Sequence, residues 1–94
     1  MTDIEIDRAL ALAIGWRKTC ESTKTFWVVE DSGNRRVFTH KDWNVIGPIA
    51  ARYDCFPEFE AHSSCWFATT KGEELEFADT PQRAIALAVI GATK

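Results

Sequence analysis

The sequence contains few of the residues from which metal sites are built. There are three cysteines and two histidines, and no two cysteines form a CxxC pair. Zinc sites normally show two closely spaced ligand pairs, whereas only His62 and Cys65 stand close together here. We therefore expect no metal and no cofactor, with Cys65 a buried apolar thiol. The odd number of cysteines also predicts reduced thiols in a cytoplasmic protein.

The sequence also has no glycine-rich loop and no motif that places a nucleophile beside a catalytic base. The five glycines are scattered along the chain, so no loop can surround a phosphate. His62 precedes Ser63 and Cys65, but neighbouring residues of a strand point to opposite faces and cannot form a catalytic pair. His40 stands beside Asp42 and is more simply part of a helix start. The sequence therefore favours a protein that is not an enzyme.

Long apolar runs and an excess of positive charge are also lacking. The longest uncharged segment, residues 84–93, is too short to span a bilayer. The chain begins with acidic residues where a secretory signal would carry Lys or Arg. The net charge is −3, and electrostatic binding to nucleic acid requires a clustered basic surface. We expect a cytoplasmic protein that contacts neither a membrane nor nucleic acid directly.

The two ends of the chain carry clear helix signals. Thr2 and Glu5 have the spacing of a capping box, which predicts a first helix over residues 3–14. Thr80-Pro81 provides a cap and a first-turn proline, which predicts a last helix over residues 81–91.

A middle helix and four strands are predicted between the terminal helices. The middle helix begins after Thr39, has Trp43 on its buried face and is kinked or divided at Pro48. Residues 16–24 and 56–59 are interpreted as loops. β-branched and aromatic residues predict strands at 25–30, 35–39, 63–70 and 74–78.

These elements predict a single α+β domain over residues 1–94, in the order α-β-β-α-β-β-α. The expected architecture is one antiparallel four-stranded sheet sandwiched by helices, with Leu87 of the last helix buried. The first and third strands are apolar on both faces and should be central. The fourth strand carries Glu74 and Glu76 and should lie at an edge. The alternative packing places all three helices on one face.

Three segments of the chain resemble a known family. They are residues 2–16, which end in Ile-Gly-Trp, residues 42–57, which start with Asp-Trp-Asn, and residues 78–88 around the Thr-Pro pair. Together they are similar to the phage ABA sandwich domain, a group of small phage and prophage proteins. The resemblance implies an α/β sandwich from a bacteriophage or prophage. It implies no catalytic residue, binding residue or cofactor.

Aromatic residues are the remaining functional signal. Eleven residues are Phe, Trp or Tyr, and two of the phenylalanines lie in a predicted loop where burial is not guaranteed. Aromatic side chains are frequent anchors at protein interfaces. We therefore predict a binding surface that consists of Asp54, Phe56, Glu58, Phe59 and Glu60.

The leading hypothesis is a phage-encoded accessory protein that binds a host protein, such as a counter-defence inhibitor of the anti-CRISPR type. A small acidic protein with aromatic anchors can occupy a basic groove on a nucleic-acid-handling complex. The alternative is a small-ligand binding protein or minimal enzyme. It would stack a nucleotide on Trp16 or Trp27 and hold the phosphates with Arg17-Lys18 or Arg35-Arg36.

Overall fold

A computed structural model describes residues 1–70 and 76–93 of the chain. Within these residues the helices are α1 (Asp3–Ala13), α2 (Trp43–Arg52) and α3 (Pro81–Ala92). The strands are β1 (Thr19–Glu21), β2 (Phe26–Val29), β3 (Arg35–Val37), β4 (Pro57–Glu60), β5 (Cys65–Ala68) and β6 (Glu76–Ala78). The predicted α+β class is confirmed.

The strands form two three-stranded antiparallel sheets, so the prediction of one four-stranded sheet is wrong. Sheet 1 has the order β1-β2-β3 and sheet 2 has the order β4-β5-β6. The additional strands, β1 and β4, lie in the segments interpreted as loops. Each pairs with the first strand of the following hairpin, which places Cys20 opposite Trp27 and Phe59 opposite Trp66. Their polar sequences carry little strand propensity, so pairing with an apolar neighbour decides their structure.

The predicted strand positions within the sheets are correct. Strands β2 and β5, which correspond to the predicted first and third strands, are each central in their own sheet, and β6 is an edge. Trp27 and Trp66 on the central strands are half-buried. Glu74 and the side chain of Glu76, which we expected to protect that edge, lie outside the described part of the structure.

Helix α3 occupies the centre of the molecule. It packs against all three strands of sheet 2 and against α1 and α2, while α1 packs against β2 of sheet 1. The helices therefore lie between the sheets, whereas the sequence predicted a sheet between helices. The physical reason is that α3 is apolar around most of its circumference, and such a helix is stable only when it is surrounded. No helix in the described ranges is long and apolar enough to cross a membrane.

The predicted capping box of α1 is confirmed. Thr2 Oγ1 accepts a hydrogen bond from the Glu5 N–H at 3.2 Å, and Glu5 Oε1 accepts one from the Thr2 N–H at 2.9 Å. Both bonds are local in sequence, so they need no tertiary contact. Gly15 follows the helix with φ at +105°, a conformation that glycine adopts without steric cost.

Helix α2 differs from its prediction in three respects. Its N-cap is Asp42, whose carboxylate accepts from the Asn44 N–H at 2.9 Å, and not Thr39. The helix is continuous through Pro48. Trp43, which we expected on the buried face, is exposed, whereas Ile46, Ile49 and Ala50 are buried.

The cap of α3 carries a testable stability effect. Thr80 Oγ1 accepts from the Arg83 N–H at 3.2 Å. We expect Thr80→Ala to lower the free energy of unfolding by about 1 kcal/mol, because the Arg83 N–H loses its partner. Urea denaturation measures the difference, and Thr80→Ser, which keeps the hydroxyl, is the matched control. An equal loss in both variants would show that the cap bond is not the cause.

Candidate functional site

The five predicted binding residues lie at the start of sheet 2. Four of them are exposed and Glu60 is half-buried. Phe56 and Phe59 are 59% and 54% exposed, which is unusual for phenylalanine. Asp54 follows α2 in a left-handed conformation with φ at +51°. The five residues are therefore mostly accessible, but β4 distributes their side chains over more than one face.

Strand geometry divides the β4 residues between two faces of the sheet. Phe59 lies opposite Trp66, with the two rings in an edge-to-face contact at 5.3 Å between centroids. Trp66 packs against the core, so Phe59 extends the side of the sheet that faces α3. Glu58 and Glu60 alternate with Phe59 and point to the opposite side.

This opposite side of sheet 2 also carries aromatic residues that the sequence analysis did not select. Glu58 pairs with Phe67, which pairs in turn with Phe77. The Phe67 and Phe77 rings lie 5.8 Å apart, and Phe77 is 51% exposed. We call the surface formed by Glu58, Glu60, Phe67 and Phe77 the outer face of sheet 2. An apolar strand sequence predicts that the side chains on both faces are buried. Nothing in the sequence therefore indicated that Phe77 on this face would be exposed.

The outer face lies in the most acidic part of the chain. Residues 54–80 contain seven Asp or Glu and a single Lys, whereas residues 15–53 contain seven Lys or Arg and four Asp or Glu. Among the ion pairs of the described residues, none involves Asp54, Glu58 or Glu60. The net charge of −3 therefore conceals a separation of charge along the chain.

Sheet 1 separates two of the basic residues that the nucleotide-binding hypothesis places beside Trp27. Phe26 and Val28 face the core, so Trp27 lies on the opposite face. Arg36 pairs with Val28, and Arg35 pairs with Val29 on the other face. The two arginines therefore cannot act together on one ligand at Trp27.

A buried Asp7–His40 pair is the most enclosed polar feature of the described structure. Asp7 Oδ1 accepts a hydrogen bond from the His40 backbone N–H at 2.8 Å and lies 2.7 Å from His40 Nδ1. The residues are 3% and 1% exposed. An ionised carboxylate only accepts hydrogen bonds, so this contact requires the tautomer of His40 in which Nδ1 is the donor. Asp7 thus joins α1 to the segment before α2.

Asp3 extends this cluster to the start of α3. Its carboxylate lies 2.6 Å from Lys41 Nζ, 3.2 Å from Arg83 Nη1 and 3.6 Å from His40 Nε2. The hydrogen bond from Lys41, with the nearby positive charges, lowers the pKa of Asp3 below its usual value. Arg83 also donates to the Met1 carbonyl at 2.5 Å. The cluster connects three segments that are distant in sequence, which is a structural role.

Sequence reasoning missed the Asp7–His40 pair. The available signal was Asp7 itself, a carboxylate on the stripe of α1 that carries Ile6 and Leu10. A charged residue at such a position is rarely buried without a partner. Its partner is 33 positions away, so the sequence could not identify it.

The three cysteines are all free thiols and differ in burial. Cys55 is buried, and desolvation raises its pKa to about 11, so its thiol stays protonated at neutral pH. Cys65, which we expected to be buried, is half-buried, and His62 is exposed in the preceding turn. Among the described residues, no three Cys, His, Asp or Glu side chains are grouped as metal ligands.

No family model matches the chain, and no curated protein sequence matches it.

Proposed function

We propose that this chain binds a protein partner through the outer face of sheet 2 and the adjoining Asp54–Phe59 segment. The observation that carries the proposal is the exposed Phe77 ring in contact with the half-buried Phe67 ring, beside carboxylates that have no ion pair among the described residues. Exposed aromatic residues lose unfavourable contact with water when a partner covers them. They are also the side chains that most often dominate binding energy.

The charge of this region specifies the chemistry of the partner. Glu58 and Glu60 flank the aromatic rings, and Asp54 stands at the end of α2. A basic surface would be attracted over the distance of a Debye length, which increases the association rate at low salt. The partner surface that fits best is therefore basic at its rim and apolar at its centre.

The finer hypothesis is that the partner is a host protein that handles nucleic acid and that the chain inhibits it as a phage counter-defence protein. Such host proteins present basic grooves that an acidic protein can occupy. The support for a phage origin is the resemblance of the three sequence segments, and the support for the partner's charge is the acidic outer face.

Two variants test the contact surface. The wild-type chain is used as bait in extracts of infected bacteria, and any stoichiometric partner is then purified and titrated. We expect Phe77→Ala to weaken binding by about 30-fold, because it removes the exposed ring that would anchor the partner. We expect Glu58→Lys to slow association and to weaken its dependence on salt.

The matched control is Leu12→Ala, which removes an exposed apolar side chain from α1. Glu58→Lys and Leu12→Ala should unfold within about 0.5 kcal/mol of the wild type, as is usual for exposed positions. Phe77→Ala also loses the ring contact with Phe67 and should cost about 0.5–1.5 kcal/mol, so its binding is measured where the variant is fully folded. Equal affinities for wild type, Phe77→Ala and Glu58→Lys would contradict the proposed surface. So would a partner that Leu12→Ala loses to the same extent.

A further inference from the structure

We propose that a hollow beside Trp16 binds a nucleoside phosphate, a function separate from the partner-binding face of sheet 2. The hollow has a volume of about 650 Å³ and lies where α1 ends, next to β2 and the end of α2. Its lining includes the Trp16 side chain, the apolar Ile14 and Val29, and three basic residues. The volume lies within the range of small-molecule sites.

The three basic residues of the hollow are Arg17, Lys18 and Arg52. In the described structure none of them lies within 4.0 Å of a carboxylate, whereas Arg8 pairs with Glu21 and Lys41 pairs with Asp3. Positive charges that converge without an internal counter-charge attract an anion. Arg17 and Lys18 follow α1, and Arg52 comes from α2, so only the fold brings them together.

Negative charge near the hollow is smaller than this positive charge. Asp31 is the carboxylate in the lining. The C-terminal ends of α1 and α2 each contribute roughly half a negative charge. At both ends a backbone N–H from the residues after the helix caps a free carbonyl. The Trp16 N–H donates to the Ala11 carbonyl at 2.9 Å, and the Cys55 N–H donates to the Ala50 carbonyl at 2.9 Å. The three cations therefore leave a positive excess that favours phosphate.

Trp16 supplies the surface on which a base would stack. The indole is half-buried and packs against the core, so its position is fixed before a ligand arrives. Gly15 precedes it, and a Cβ at Gly15 would meet no atom within 4 Å, which leaves the approach open. Flat aromatic platforms beside cations accept any base, because every base has a π-face. The recognised class is therefore a base joined to phosphate.

The test titrates the purified chain with ATP and with GTP and follows tryptophan fluorescence. Adenosine and inorganic tripolyphosphate are titrated separately, since each carries one half of the proposed ligand. We expect saturable binding of a nucleotide, at least tenfold weaker binding of either half, and weaker nucleotide binding when salt rises from 50 to 200 mM. No saturable binding of ATP or GTP below 1 mM, or equal binding of tripolyphosphate, would overturn the proposal.

Variants locate the site. We expect Arg52→Gln, and separately the double variant Arg17→Gln/Lys18→Gln, to weaken nucleotide binding at least tenfold. Lys24→Gln removes an exposed charge elsewhere and should leave the affinity within twofold. Trp16→Phe should keep binding and lose most of the fluorescence change. If the Arg17→Gln/Lys18→Gln and Lys24→Gln proteins bind nucleotide equally, the hollow is not the site.

Discussion

The Asp7→Ala variant is expected to lose about 3–5 kcal/mol of unfolding free energy, the largest effect of any single polar substitution proposed for this chain. One carboxylate oxygen of Asp7 serves both the backbone N–H and the ring Nδ1 of His40. Without it, two buried donors have no acceptor, and each unsatisfied group costs about 1–3 kcal/mol. Domains of this size are stable by roughly 5–15 kcal/mol, so the variant should approach marginal stability.

Urea denaturation at neutral pH measures this loss, and three further variants identify its origin. Asp7→Asn keeps an oxygen that accepts from the His40 N–H and should lose less. His40→Ala leaves the Asp7 carboxylate buried, so the double variant should lose less than the sum of the two single variants. Asp31→Ala, an exposed carboxylate, should change stability by less than about 0.5 kcal/mol. A loss below about 1 kcal/mol for Asp7→Ala would mean that the pair does not hold α1 in place.

The Ile85→Ala variant is expected to lose about 2–5 kcal/mol, because Ile85 is fully buried in the central helix α3. The deletion removes methyl and methylene groups from the core and leaves a cavity between neighbours that cannot collapse onto it. The sequence analysis selected Leu87 as the buried residue, but Leu87 is only half-buried. We therefore expect Leu87→Ala to lose clearly less than Ile85→Ala.

The two α3 variants form a matched pair, since each removes branched aliphatic carbon from the same helix. Equilibrium unfolding in urea gives both the midpoint and the slope, and an unchanged slope confirms that only stability has changed. A larger loss for Leu87→Ala than for Ile85→Ala would require α3 to be rotated from the position described here.

The two proposed sites draw on segments of the chain that carry opposite charge. The outer face of sheet 2 belongs to the acidic segment 54–80, while the Trp16 hollow draws its cations from residues 15–53. The net charge of −3 argued against electrostatic binding of nucleic acid, but it left open a local group of basic residues that holds phosphates. Net charge does not predict local attraction, because salt screens exposed charges over about 10 Å and each group of charges acts mainly on what lies near it.

Local signals in the sequence were sufficient for the starts of α1 and α3 and for four strands. Thr2 and Glu5 form their capping box, and Thr80 caps α3, because these bonds join residues three positions apart. Strands β2 and β5 are apolar and β-branched or aromatic, so their sequence also predicted their central positions. Each of these features is decided within a few residues of chain.

Only the tertiary structure decided the rest, because it depends on residues that are distant in sequence. Strands β1 and β4 exist because a neighbouring strand accepts their hydrogen bonds, and they divide one expected sheet into two. Arg52 reaches Trp16 only after α2 has packed, and His40 finds Asp7 across 33 positions. Phe77 is exposed because α3 covers the opposite side of sheet 2. The apolar character of a residue predicts that it is buried. Which faces of the sheets the other elements can cover, however, depends on the whole fold.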